Sequence, residues 1–199
     1  MNEASEASPA ARRRAVSIAG HIGDAATARR GLTDGDAVVR SAALDALRRL
    51  GELDDEILAT AFADDATTVR RRAAELAAQH ADVDLLPLLA DPDPSVVEVA
   101  AWSCGEHESD RAEIVDRLIE LAEHDEALVR ESAVAALGAI GAERAVPTII
   151  AAATGDKPAV RRRAVLALAP FEGPEVDAAI ESALTDRDWQ VRQSAEDLA

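Results

Sequence analysis

A serine, a histidine and a glutamate stand close enough in the sequence to be considered for catalysis. Ser103 and His107 are four residues apart, which places them on one face of a helix, and Glu108 follows His107 directly. A serine hydrolase also needs an oxyanion hole and an acid directed at the far imidazole nitrogen. The sequence supplies neither, so these residues predict no catalytic site.

The metal-binding and redox-active residue types are sparse. His21, His80 and His107 fall near predicted helix ends, where the carbonyl dipole favours histidine without a metal. Cys104 is the single cysteine, so the chain forms neither an internal disulfide nor a cysteine-based zinc site. No glycine-rich phosphate loop occurs. We therefore expect no metal and no cofactor.

The tryptophan at position 102 is the strongest candidate for a binding residue. Its helix carries Gly105 where related segments carry leucine, and it occupies a slot held elsewhere by Val16, Leu44, Ala74, Val134 and Val165. Large aromatic side chains anchor many protein interfaces. We predict a partner-binding patch at Glu98, Trp102, Ser103 and His107. A second interpretation, in which Trp102 fills core space that Gly105 leaves empty, remains open.

These residues lie within an internal repeat. A Val-Arg pair recurs at Val39-Arg40, Val69-Arg70, Val129-Arg130, Val160-Arg161 and Val191-Arg192. Ala11-Arg12 opens the series, and Val97-Glu98 fills its gap. The steps between successive copies are 28, 30, 28, 32, 31 and 31 residues. A near-constant period of this length is typical of helical repeat proteins.

Each copy has the pattern of a helix pair. An alanine follows four residues after each valine position, and further apolar residues follow at seven and eight, which is one face of a helix. Aspartate-rich turns precede the pairs, and Gly51 and Gly141 close two of the helices. A shorter apolar segment, such as Ile57 to Phe62 or Leu85 to Leu89, separates one copy from the next. The pattern predicts antiparallel helix pairs without strands.

The predicted organisation is one repeat domain. Residues 1–8 are expected to be flexible, and residues 9–199 to form the domain. A single helix at 9–23 precedes six pairs at approximately 24–51, 52–81, 82–109, 110–141, 142–171 and 172–199.

The arginine after each valine is expected to be structural. Its planar guanidinium suits a bidentate bond to an acid in the same or a neighbouring turn. The predicted ladder comprises Arg12, Arg40, Arg70, Arg130, Arg161 and Arg192.

The charge of the chain limits its partners. The formal net charge is −17, from 38 acidic and 21 basic residues, and Lys157 is the single lysine. Such a surface repels nucleic acid and anionic membranes, and the arginine triplets at 12–14, 70–72 and 161–163 are separated by neutral or acidic helices. We expect no nucleic acid and no membrane as partner, and a cytoplasmic location. The composition is equally typical of a halophile and of a GC-rich mesophile.

One stretch carries a family resemblance. Residues 125–141, DEALVRESAVAALGAIG, resemble the short HEAT-like repeats of phycobilin lyases. The resemblance implies an all-α, right-handed α-solenoid, a HEAT/armadillo-like superhelix of about six helix pairs plus an N-terminal helix. The concave face of such a solenoid and the acidic charge of the chain predict a non-enzymatic scaffold or adaptor that binds a protein or peptide of basic or mixed surface along that face. A phycobilin-lyase-like chromophore maturation factor or enzyme accessory subunit is the alternative, and a HEAT-like DNA glycosylase is a weaker one.

Overall fold

The computed structural model describes residues 7–107 and 110–199. The chain divides into two compact units, Met1–Asp84 and Leu85–Ala199. The described residues are helical, with turns between the helices and no strand. Most of the segment that the sequence predicts to be flexible, residues 1–6, lies outside the described residues.

Among the described residues, the first unit contains five α-helices. They are α1 (Pro9–Ile22), α2 (Ala25–Gly31), α3 (Ala37–Leu50), α4 (Asp55–Phe62) and α5 (Thr67–Ala77).

In the described part of the second unit there are seven α-helices. They are α6 (Pro94–His107), α7 (Ala112–Leu121), α8 (Ala127–Ile140), α9 (Val146–Gly155), α10 (Pro158–Ala167), α11 (Pro174–Ala183) and α12 (Trp189–Glu196).

Two kinds of helix alternate along the chain. The ladder helices, α1, α3, α5, α6, α8, α10 and α12, carry the repeated valine. The connecting helices are α2, α4, α7, α9 and α11. Within each unit, successive ladder helices pack side by side and the connecting helices pack against them as a second layer. The described chain is thus an all-α repeat of helix pairs, as the sequence predicts.

The pair predicted at 82–109 departs from this plan. The apolar segment Leu85 to Leu89 was expected to form its first helix, but only a 3₁₀ turn forms, at Leu88–Ala90. The segment is short, and Pro87 within it has no backbone N–H to donate to a helix. Leu85, Leu88 and Leu89 are nonetheless buried, so the turn still contributes to the core.

Short polar caps set the helix boundaries. The side chains of Asp36 and Asp54 accept hydrogen bonds from the free N–H groups at the starts of α3 and α4. Gly51 and Gly141 follow α3 and α8 with φ of 68° and 70°, a left-handed conformation that favours glycine. These are the start and stop signals that the sequence predicts.

In the fourth ladder helix, α6, the repeat begins one residue earlier than the sequence analysis assigns it. The other ladder helices each begin two residues before their valine position, and α6 begins at Pro94, two residues before Val96. The equivalent pair is therefore Val96-Val97 and not Val97-Glu98. Because Val96-Val97 and Ala100-Ala101 are both doublets, the apolar pattern fits either register. The spacing from the turn favours the observed one, since Asp91 precedes Val96 by five residues, as Asp34 precedes Val39.

Glycines allow the closest approach between ladder helices. Counting the valine position as zero, Gly20, Gly105 and Gly138 all stand at position +9. A Cβ atom at these residues would lie 2.7, 3.0 and 2.7 Å from the Cα atoms of Ala46, Ala136 and Ala167, the +7 alanines of the next ladder helix. The side-chain hydrogen of glycine therefore sets the distance between these backbones.

An arginine clamp joins successive turns. Arg12, Arg40, Arg130 and Arg161 each donate bidentately, at 2.6–2.9 Å, to the aspartate that opens the next ladder-helix turn. These partners are Asp34, Asp64, Asp156 and Asp186. Each guanidinium also donates from Nη1 to a backbone carbonyl of its own turn. Every clamp thus fixes two turns at once.

Burial strengthens the clamps. The arginine side chains are between 3% and 27% exposed and the aspartates 13% or 14%, so water screens them less than a surface ion pair. The remaining two ladder arginines, Arg70 and Arg192, likewise donate from Nη1 to a carbonyl of their own turn.

The clamps also shift the acid–base equilibrium of their aspartates. The hydrogen bond from the arginine lowers the pKa of Asp34, Asp64, Asp156 and Asp186 below the ordinary aspartate value, against an opposing effect of burial.

Gly138→Ala should destabilise the second unit by about 1–3 kcal/mol, because the new methyl group would overlap the backbone of Ala167. Urea unfolding followed by circular dichroism measures the change. Gly155→Ala is the matched control, since a Cβ there meets nothing within 4 Å. Equal midpoints for the two variants would contradict the close approach described above.

The clamps predict a fall in stability in acid. A carboxylate whose pKa is lower in the folded than in the unfolded chain stabilises the fold above its unfolded pKa, about 3.9, and this contribution disappears as the pH falls through the folded value. Arg130→Gln should weaken this dependence because it releases Asp156. Unfolding midpoints between about pH 5 and 2.5 test this. The control is Arg144→Gln, which removes a more exposed pair with Asp116 and should leave the dependence on pH nearly unchanged.

Candidate partner-binding groove

The second unit has a groove on the exposed side of its ladder helices. This side, which we call the ladder face, consists of positions −1, +2, +3 and +6 of each ladder helix. In α6, the corrected register places Glu98 at +2 and Trp102 at +6. A cavity of about 340 Å³ opens there, and its lining comprises Glu98, Trp102, Leu128, Glu131, Ser132, Ala135 and Arg163.

The groove presents apolar surface to solvent. Trp102 of α6 is 42% exposed, and Leu128 of α8 is 63% exposed. Ala135 adds a small apolar wall, and Ser132 adds a hydroxyl group. A tryptophan and a leucine in one concave surface provide contact area of the kind that interfaces use.

Charged groups flank this apolar surface. Glu131 lies 3.6 Å from the Nε of Arg163, and the glutamate is the less exposed of the two. Glu98 is half-buried on α6. The lining therefore holds two carboxylates and one guanidinium, so a cationic group of a partner would find a net negative charge.

The position of Trp102 on α6 distinguishes between its two interpretations. The slot that the sequence assigned to it, position +5, is buried in the other copies, at Val16, Leu44, Ala74, Val134 and Val165. Trp102 is at +6 instead, in register with Asp45, Glu75 and Leu166. The space beside Gly105 is occupied by Ala136 and not by the indole ring. The core-filling interpretation is therefore wrong for this side chain.

The predicted patch is only partly assembled. Glu98 and Trp102 share the groove, but Ser103 is fully buried, so it cannot contact a partner as predicted. The register correction explains this, because Ser103 stands at +7 with the buried alanines Ala46 and Ala136. His107 is the last residue of α6 and is half-buried, and it is not part of the groove lining. Glu108 lies outside the described residues.

Sequence reasoning missed the contribution of α8. Leu128 and Glu131 are on the helix after Trp102, and nothing in their own helix distinguishes them. A comparison of the −1 positions of the copies would have pointed to Leu128, which is the largest apolar residue at a position held elsewhere by Ala10, Val38, Thr68, Ser95, Ala159 and Gln190.

The clamp is altered in the helix pair that forms the groove. Val97 stands where the ladder has arginine, and it is buried. His124 stands where the next turn has its aspartate, and its Nδ1 accepts the turn N–H of Glu126 at 3.0 Å, as Asp34 accepts that of Asp36 at 2.9 Å. Both partners of one clamp have thus been replaced together.

Among residues 7–107 and 110–199, no group of three histidine, cysteine, aspartate or glutamate side chains is arranged to hold a metal ion. No helix within this part of the chain has the length and apolar character needed to span a membrane.

Sequence comparison identifies the repeat. A family profile described as HEAT repeats matches residues 83–169 and 115–199, which together make up more than half of the chain. No curated protein sequence gives a significant match.

Solved structures share the fold. The Escherichia coli protein YibA has a TM-score of 0.67 at 18% identity, over 95% of this chain and 73% of its own. The CpcE–CpcF complex of phycocyanin lyase from Nostoc sp. PCC7120 gives 0.66 at 23% identity, over 86% and 74% of the two chains. A designed armadillo repeat protein gives 0.62 at 16% identity, over 85% and 95%. At these identities the likeness is one of fold.

Replacing both residues together should restore a clamp interaction in the second unit. In the double variant Val97→Arg/His124→Asp, the new arginine and aspartate occupy the positions that clamp elsewhere. We expect a favourable coupling of about 1 kcal/mol between the two substitutions, because each alone lacks its partner. A double-mutant cycle of urea unfolding measures it. Strictly additive effects would show that the two positions are too far apart to clamp.

Proposed function

This chain belongs to the HEAT-repeat family, and we propose that it is a non-enzymatic scaffold or adaptor that binds a partner protein or peptide on its ladder face. The observation that carries the proposal is the groove between α6 and α8, where Trp102 and Leu128 are exposed side by side with charged groups. In the remaining copies, position +6 holds smaller or charged residues in most cases.

The composition of the groove favours binding over chemistry. Its lining residues are tryptophan, leucine, alanine, serine, glutamate and arginine, which supply contact area and charge. The serine considered for nucleophilic catalysis, Ser103, is fully buried and so is not accessible to a substrate. A nucleophile has to come within about 3 Å of the atom that it attacks.

The charge favours a partner whose contact surface is basic or mixed. Glu98 and Glu131 line the groove, and the chain as a whole carries a net charge of −17. A basic segment would be steered toward this surface, and the association rate would fall as salt rises. Apolar residues in the same segment would contact Trp102 and Leu128.

Trp102→Ala should weaken the complex by tenfold or more, because truncation of a central aromatic anchor costs about 2 kcal/mol in typical interfaces. The partner is first obtained with a photo-cross-linking amino acid in place of Ser132, inside the groove. Its affinity for the unmodified chain and for the variant is then measured by calorimetry.

The matched control is Trp189→Ala. Trp189 is an exposed tryptophan of the same unit, at the start of α12, and it is not among the groove-lining residues. Equal losses for both variants, or no loss for Trp102→Ala at unchanged helix content, would contradict the proposal. An affinity that does not change with salt would contradict the proposal that the contact surface of the partner is basic.

A further inference from the structure

The ladder face of the first unit has a different chemistry from the groove described above. At positions +2 and +3, α1 carries Arg13 and Arg14, and α5 carries Arg71 and Arg72. Between them, α3 has small residues, namely Val38 at −1, which is exposed, Ser41 at +2, which is half-buried, and Ala42 at +3, which is buried. The small residues of α3 thus lie between the arginines of α1 and α5, and we call this surface the arginine trough.

Contacts between the helices show that these positions share one face. The Ser41 hydroxyl of α3 lies 3.5 Å from the carbonyl of Thr68, at position −1 of α5. Arg72 of α5 forms an ion pair with Asp45, at position +6 of α3. On the other side of α3, Gly20 brings the backbone of α1 close to Ala46.

Three of the four arginines are available to a ligand. Arg72 is held by Asp45 and by Glu75, the latter at 2.5 Å. Arg13, Arg14 and Arg71 are exposed, and among the described residues no hydrogen bond or ion pair holds their guanidinium groups. With four arginines and two carboxylates, Asp45 and Glu75, this face carries a net charge of +2 in a chain of net charge −17.

We propose that this arginine trough is a docking site for an acidic peptide segment. Charge complementarity identifies the occupant, because carboxylates suit the free guanidinium groups on both sides of the trough. Two helix spacings of about 10 Å separate α1 from α5. An extended segment of about six residues covers this distance at about 3.3 Å per residue. The small side chains of α3 leave room for its backbone.

A short acidic segment fits this surface better than a nucleic acid. The positive surface is limited to the trough, because the acidic turns Asp34–Asp36 and Asp64–Asp65 precede α3 and α5. A segment of a few residues interacts mainly with the trough, since charges beyond about 8 Å are screened at physiological salt. The phosphates of a duplex extend past the trough and meet the surrounding carboxylates.

This inference is independent of the function proposed for the second unit, since it involves other residues and the opposite charge. Either site can fail its experiment while the other stands.

The test uses the full chain and a fluorescein-labelled peptide that alternates serine and glutamate. Fluorescence anisotropy at low salt should show binding that weakens as sodium chloride is added. The double variant Arg13→Gln/Arg71→Gln should bind about fivefold to tenfold more weakly, since two exposed ion pairs are removed. A peptide with glutamine in place of glutamate should not bind.

The matched control is Arg29→Gln/Arg30→Gln, which removes the same charge from the connecting helix α2. It should leave peptide binding unchanged, and circular dichroism checks that both double variants retain their helix content. Three results would overturn the inference: no binding of the glutamate peptide, equal weakening by the two double variants, or tighter binding of a labelled DNA duplex at the same salt. Trp102→Ala should bind this peptide as the unmodified chain does.

Discussion

The bidentate bond between a ladder arginine and the aspartate of the next turn is the interaction on which the repeat depends. It connects three groups: the guanidinium, the carboxylate and the N–H group two residues after that aspartate, as at Asp34 and Asp186. Lysine presents a single ammonium group and does not match this planar arrangement. The presence of arginine rather than lysine at the clamp positions therefore has a structural reason, whatever the origin of the low lysine content of the chain. The clamp also places each ladder helix so that its apolar side meets the next one.

Glycine and alanine set the second constraint, the distance between helices. Where position +9 is glycine, as at Gly20 and Gly138, the following ladder helix comes into backbone contact. Where it is Arg48, in α3, no such contact is available to the next helix. The glycine of one copy thus pairs with an alanine of the next copy. Helices that approach so closely leave little room for large side chains, which agrees with the low aromatic content of the chain.

Most of the fold follows from the sequence, because helix period, caps and repeat length are local signals that agree with one another. The start of α3 at Asp36 and its end at Gly51 are examples. The exceptions have physical reasons. At residues 85–89 an apolar pattern was too short and too constrained by Pro87 to make a helix. At residues 96–101 two doublets hid a register shift of one residue from the apolar pattern, although the distance from Asp91 would have shown it, and this shift misplaced Ser103 and Trp102. The site was less predictable than the fold, since the groove needs Leu128 and Glu131 from a different copy.

The ladder faces show how one scaffold carries different surfaces. Positions −1, +2, +3 and +6 take no part in the clamp, and their residue types differ from copy to copy. In the first unit they supply arginines around small residues, and in the second unit a tryptophan and a leucine beside glutamates. The copy that contributes Trp102 is also the one in which the clamp is replaced by Val97 and His124. The helix pair with the distinctive surface is thus also the pair that departs from the repeat.

The clamps have a consequence for how the chain folds. Each joins residues only 22 to 26 positions apart, as in Arg12 with Asp34 and Arg130 with Asp156. Closing so short a segment loses little chain entropy, and each closure prepares the surface on which the next helix pair assembles. Contact order is therefore low, and structure can spread from any formed pair to its neighbours without waiting for distant segments to meet.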